Sequence, residues 1–97
     1  MVMAMKNPVH PGYVVYGDCI EEEELTIDAA AKELGVSRQT LSAVINGRSS
    51  VTADMSIRLE KRGWGRADTW MRMQANYDLA QARLRSDEID VPWQRQA

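Results

Sequence analysis

An all-α fold of five helices is what this sequence predicts, and three observations carry that reading. Apolar residues recur at helical spacing, most clearly Ile27, Ala30, Ala31 and Leu34. Thr26, Ser37 and Thr52 stand as capping residues just before such runs, and Gly35 and Gly47 stand just after two of them. No strand is convincing anywhere in the chain.

The first helix is expected from Pro11 to about Glu24, because proline suits the first helical position, where its missing N–H costs nothing. Val14, Val15, Cys19 and Ile20 would face inward, and Glu21 to Glu24 reads as a solvated face. The second helix starts after the Thr26 cap, with Asp28 near its positive end, and stops at Gly35. The third follows the Ser37 cap, turns Leu41, Val44 and Ile45 inward, and ends at Gly47. The fourth follows Thr52 with Met55 and Leu59 inward, and Lys61 and Arg62 suit its negative C-terminal end. Gly63 and Gly65 make a turn. The fifth helix, about Ala67 to Leu84, is the longest. Its Trp70, Met73, Tyr77, Ala80 and Leu84 follow a 3-4-3-4 spacing, which is an apolar stripe of coiled-coil type. Residues 1–10 read as an N-terminal arm broken by Pro8, residues 11–85 as one domain, and residues 86–97 as a polar tail.

Composition bounds the function. Ninety-seven residues, 44% apolar and 27% charged, fit one globular domain. No uncharged apolar run approaches the ~18 residues of a membrane span. The start, "MVMAMKNPVHPG", lacks a signal peptide's apolar core, so the expected location is cytoplasmic. Cys19 and His10 are the only cysteine and histidine. They exclude an internal disulfide and cannot fill a four-ligand zinc site, so no metal or cofactor is expected. Cys19 reads as a small buried hydrophobe. His10 has no nucleophile or ligand paired with it in the sequence pattern, which argues against an enzyme.

The net charge of −2 is unevenly spread. Residues 1–36 carry −5, residues 37–66 carry +4 and residues 67–97 carry −1. The basic third begins in "LGVSRQTLSAVINGR", residues 34–48. There Ala31 supplies a small residue for a helix crossing, Gly35 a sharp turn, and Leu34, Val36, Leu41 and Val44 the apolar lock. Residues 27–46 therefore read as a helix-turn-helix, against the plainer alternative of an ordinary helix hairpin. In the usual docking, the third helix enters a DNA major groove by its N-terminal end. Arg38, Gln39, Ser42 and Ala43 are then the base-contacting candidates: Gln pairs with adenine, Arg with guanine, and an alanine methyl meets a thymine methyl. Ser37, Thr40, Asn46, Arg48 and Ser49 are the phosphate-contacting candidates. Plain solvent exposure is the competing reading for each. One such unit reads few base pairs, so a homodimer is expected, with Trp70, Met73, Tyr77, Ala80 and Leu84 as its interface. Trp70 and Met73 could equally close the domain's own core.

The motifs "NPVHPG", "LGVSRQTLSAVINGR", "TADMSIRLEK" and "WMRMQANYDLAQAR" together cover most of the chain. The chain resembles, through them, the HigA-type antitoxins of bacterial toxin–antitoxin modules, a branch of the lambda-repressor-like DNA-binding fold. Tyr13 stands where that family usually has an acidic residue, and Arg66 where it has a helix-capping serine or threonine. The resemblance implies a homodimer on operator DNA that represses its own operon and neutralises a HigB-type toxin, an mRNA-cleaving ribonuclease. Two other readings stay open: a stand-alone phage- or plasmid-type repressor with no toxin, and a helical adaptor that binds only protein.

Overall fold

A computed structural model describes residues 8–94. The chain opens with α1, Pro11–Val14, which continues directly as a π-helical segment, Val15–Glu21. Then come α2 (Ile27–Leu34), α3 (Arg38–Ile45), α4 (Ala53–Lys61), α5 (Ala67–Leu84) and a 3₁₀ turn, Ser86–Glu88. Among the described residues there is no strand.

The π segment is a departure from the expected α-helix, and the burial pattern gives its physical sense. Val15 and Ile20 are five residues apart, and in an α-helix of 3.6 residues per turn they would diverge. A ladder of i→i+5 bonds puts them on one face. Val15, Cys19 and Ile20 are all buried there. A turn at residues 22–24 follows, with Glu24 at φ 56°, and the chain re-enters helix at the Thr26 cap, whose Oγ1 accepts from Ala29 N at 3.0 Å.

The core is assembled from all five helices. Leu41 and Leu59 are fully buried beside Ala30, Ala31, Leu34, Val44, Val51 and Met55. Two tryptophans join it. Trp70 is 4% exposed, and its indole N–H donates to the Trp64 carbonyl at 2.6 Å. It closes the chain's own core, so of the two readings the sequence left open for Trp70 the core holds and its place in the dimer stripe falls away. Trp64, expected only as a turn residue, is buried as well.

Three polar devices tie the helices together. Gln74 of α5 is buried, and its Oε1 accepts from Val51 N at 2.7 Å, satisfying a backbone group just before α4. Arg62 donates to Glu23 at 2.6 Å and to Glu33 at 2.5 Å, and its guanidinium lies 4.3 Å from the Trp64 ring centroid. Glu23 also accepts from the Trp64 indole N–H at 2.7 Å. The Trp64 and Arg62 donors hold the Glu23 carboxyl below the usual carboxylate range. The acidic run is therefore not simply a solvated face, since Glu23 joins α4 to the start of the fold. At the head of α5, Arg66 gives no side-chain cap, as its type predicts; Glu60 replaces it, accepting from Ala67 N at 2.9 Å.

His10 also belongs to the folded unit, where the sequence placed it in a separate arm. It is 3% exposed and caps α1, with Nδ1 accepting from Gly12 N at 2.9 Å. Its ring meets Tyr77 of α5 edge-on at 4.9 Å between centroids. Burial pushes the imidazole below its ordinary pKa, against the pull of Asp78 and the Ser49 backbone. Cys19 is buried, and burial together with Asp18 and Glu23 pushes its thiol up to about 11, so it stays protonated. The arm's residues 1–7 and the tail's residues 95–97 lie outside the described part.

Candidate nucleic-acid interface

The geometry of α2 and α3 follows from their junction. Gly35 sits at φ 75°, the left-handed region that a side chain resists. The turn is closed by Val36 N donating to Ala31 O at 3.0 Å and Gly35 N to Lys32 O at 3.2 Å. This is the double bond pattern of a helix ending on a left-handed glycine. Ser37 then caps α3, its Oγ accepting from Thr40 N at 3.0 Å. Ala31, Leu34, Leu41 and Val44 are buried between the two helices, so the pair is locked in one orientation.

Arg58, which the sequence left as an ordinary helix residue, clamps this junction. Its Nη1 donates to the carbonyls of Leu34 at 2.9 Å and Gly35 at 3.3 Å, while its Nε donates to Asp54 at 2.8 Å. It thereby satisfies carbonyls that the end of α2 leaves open. Arginine one turn after an aspartate on a predicted helix was the visible signal, but only the fold brings it to residue 34.

The exposed side of α3 presents two shallow grooves separated by Gln39. On one side lie Arg38, Ser42 and Arg48; on the other lie Thr40, Ala43, Ser49, Ser50 and Thr52. All four base-contacting candidates, Arg38, Gln39, Ser42 and Ala43, thus share this face. Arg48 and Ser49 are brought beside it because both their backbone N–H groups donate to Ala43 O, at 2.8 and 3.0 Å. Ser50 lines the second groove beside Ser49, although only Arg48 and Ser49 of this loop are expected there from the sequence.

The candidates differ in how free their polar groups are. Gln39 makes no side-chain hydrogen bond to any described residue. Arg38 lies 3.5 Å from Asp28 of α2, with both side chains well exposed, so this pair is weak and yields to a stronger acceptor. Arg48 is exposed and forms no ion pair with a described residue. Ser37 donates to Thr40 Oγ1 at 2.9 Å, so both hydroxyls are engaged with each other at the start of α3. Asn46 turns its amide back onto the helix, donating to Ser42 O at 2.9 Å and Ser42 Oγ at 3.2 Å. Asn46 and Ser37 therefore act first as ends of α3.

The local basic charge is smaller than the sequence suggested. Of the six bases in residues 37–66, Arg58, Arg62 and Arg66 are engaged by Asp54, Glu23, Glu33 and Asp68. Arg38 and Arg48 are the cations of this face.

Beyond Trp70, α5 keeps part of its expected stripe accessible. Met73 packs partly on the core, Tyr77 and Ala80 are half-buried, and Leu84 is 71% exposed. No helix among the described residues is long and apolar enough to cross a membrane.

Known proteins share this arrangement. A helix-turn-helix family matches residues 18–62. Virulence-associated protein A' of Dichelobacter nodosus is 39% identical over 93% of this chain and 79% of its own length. Antitoxin HigA-1 of Vibrio cholerae is 31% identical over 86% of this chain and 78% of its own length. The structure of Pseudomonas aeruginosa antitoxin HigA with the higBA promoter superposes with a TM-score of 0.76 at 29% identity, covering 90% of this chain and all of that one. With its left-handed turn at Gly35, its capped and exposed third helix and its long fifth helix, the chain belongs to the HigA-type antitoxins, a helix-turn-helix family and not one of enzymes.

Proposed function

We propose that the chain is a homodimeric DNA-binding antitoxin that represses its own operon and neutralises a HigB-type, mRNA-cleaving toxin in the cytoplasm. The observation that carries the DNA half is the face of α3, where Arg38, Gln39, Ser42 and Ala43 lie together and Gln39 is unengaged. On that face Gln39 reads an adenine, Arg38 a guanine after leaving Asp28, and Ala43 a thymine methyl. Arg48, Ser49 and the Thr40 hydroxyl hold phosphates, with Ser37 and Asn46 contributing through the helix ends. The toxin half is supported by the antitoxin names of the Vibrio and Pseudomonas relatives.

The dimer uses the outer part of α5, with Met73 and Tyr77 at its inner edge and Ala80 and Leu84 at its centre. Residues 11–85 act as the folded unit, extended upstream by His10, with residues 1–9 as the arm and 86–97 as the tail.

Titration of the chain against a fragment of its own promoter, at several salt concentrations, tests the DNA half. Specific binding that weakens with salt is expected; its absence favours a protein-only adaptor. Co-expression with the protein encoded next to this chain tests the antitoxin half. Growth rescue is expected, and no rescue favours a stand-alone repressor. Ala80→Glu with Leu84→Glu, one turn apart on one face, is expected to give a folded monomer by sedimentation. A persistent dimer places the interface elsewhere.

A further inference from the structure

The chain beyond α5 has a pattern that the DNA-binding face does not explain. Ile89, Val91 and Trp93 are 54, 67 and 70% exposed. Isolated exposed apolar residues are ordinary, but three at alternate positions within five residues are not. After the 3₁₀ turn Ser86–Glu88, Ile89 takes an extended backbone, φ −95° and ψ 102°, and no regular hydrogen bonding follows to residue 94. In an extended segment, Ile89, Val91 and Trp93 fall on one face, with Asp90 and Pro92 on the other. Asp87, Glu88 and Asp90 give residues 86–94 three negative charges and no positive one.

We infer that residues 86–94 form a protein-docking arm whose extended part, residues 89–94, pairs as an added strand with an open sheet edge of a basic partner, inserting Ile89, Val91 and Trp93 into an apolar cleft. The inference rests on the antitoxin reading, in which that partner is the ribonuclease toxin.

Three arguments select this occupant. DNA is excluded, because three carboxylates are repelled by phosphates. A second copy is a poor host, because among the described residues this fold has no strand and so offers no sheet edge. A ribonuclease must hold a polyanion, so its substrate face is positive and complements the arm's acids. Strand addition needs only a free backbone edge and alternating side-chain pockets. Pro92 fits this role: its missing N–H lies on the edge opposite Ile89, Val91 and Trp93, so pairing is possible on their edge and blocked on the other. The six residues 89–94 that follow the 3₁₀ turn reach about 20 Å when extended, the length of an ordinary strand.

The test uses the full chain carrying Val91→Lys and Trp93→Ala, both at exposed positions, and the purified toxin encoded beside it, with a catalytic-site substitution that permits its production. Calorimetric titration is expected to show at least a hundred-fold weaker toxin binding than wild type, with promoter affinity and sedimentation unchanged. A second variant, Asp87→Lys with Glu88→Lys, is expected to slow association and to flatten its salt dependence. Wild-type toxin affinity in both variants overturns the arm while leaving the antitoxin reading standing. Loss of the dimer in the first variant assigns the arm to self-association and overturns the proposal. If the wild-type chain itself does not bind the toxin, the antitoxin reading fails and the arm fails with it.

Discussion

Gly12→Ala tests how α3 is held in place. Gly12 is buried where α1 crosses α3, and a Cβ there would lie 1.8 Å from the Val44 carbonyl oxygen and 2.7 Å from its carbonyl carbon. An ordinary carbon–oxygen approach is about 3.3 Å, so the two backbones must part by roughly 1.5 Å. Neither group can rotate away, since both contacts are to main chain. Overpacking costs about 1–3 kcal/mol and more where relaxation is blocked. Alanine's helix propensity returns at most about 1 kcal/mol. The net loss is about 2 kcal/mol or more, which for a domain of this size lowers Tm by roughly 8–16 °C. Gly17 is the control: nothing lies within 4 Å of a Cβ there, so Gly17→Ala should be neutral or raise Tm slightly. Thermal unfolding by circular dichroism reads both. Because Val44 belongs to α3, Gly12→Ala should also weaken promoter binding at a temperature where it is still folded. A Gly12→Ala protein that melts with wild type would refute the close crossing of α1 and α3.

Other perturbations separate the roles of individual residues. Arg48→Ala should weaken binding on all DNA sequences alike and flatten the log–log salt slope by about one unit; loss of discrimination at a single base position would contradict a phosphate role. Gly35→Val should destabilise by more than the ~1 kcal/mol usual for glycine effects, since φ is 75° and an added Cβ meets Arg58 Nη1 at 3.0 Å; an unchanged Tm would contradict the left-handed turn. His10 should make stability depend on pH near neutrality. Its folded pKa is depressed below the ordinary 6.5, so the unfolded chain binds the proton first, and stability is full above pH 6.5 and falls as pH drops below it. His10→Gln should flatten that window and leave the separate loss at more acid pH, where the unfolded chain protonates Glu23 before the folded one, whose carboxyl Trp64 and Arg62 hold below the ordinary 4.5; an unaltered profile would remove His10 as its source.

The helix-turn-helix was legible because its signals are local. Thr26, Ser37 and Thr52 cap as their types predict, and Gly35 turns where a left-handed residue is required. What escaped depends on contacts between residues far apart in the chain. Trp70 fits a coiled-coil stripe by spacing, yet the Trp64 carbonyl and the core hold it. Glu23 looks like one of four equivalent acids until Arg62 and Trp64, about forty residues on, select it. Charge suffered in the same way: the +4 of residues 37–66 is largely balanced by Glu23, Glu33 and Asp68, which lie outside that stretch of sequence. The inward set Val15, Cys19 and Ile20 was legible, whereas the π winding was not, since apolar spacing alone does not separate i→i+4 from i→i+5 bonding.

The most direct test of the account is base readout by α3. Wild type, Arg38→Ala and Gln39→Ala are titrated against the promoter fragment and against variants carrying single base-pair changes in each half-site. Both side chains are exposed and outside the core, so folding should not change. Each substitution is expected to cost about 1–3 kcal/mol on the native site and to erase discrimination at one position per half-site, a guanine for Arg38 and an adenine for Gln39. Unchanged affinity and unchanged base preference in both variants would remove α3 from the groove and with it the central claim.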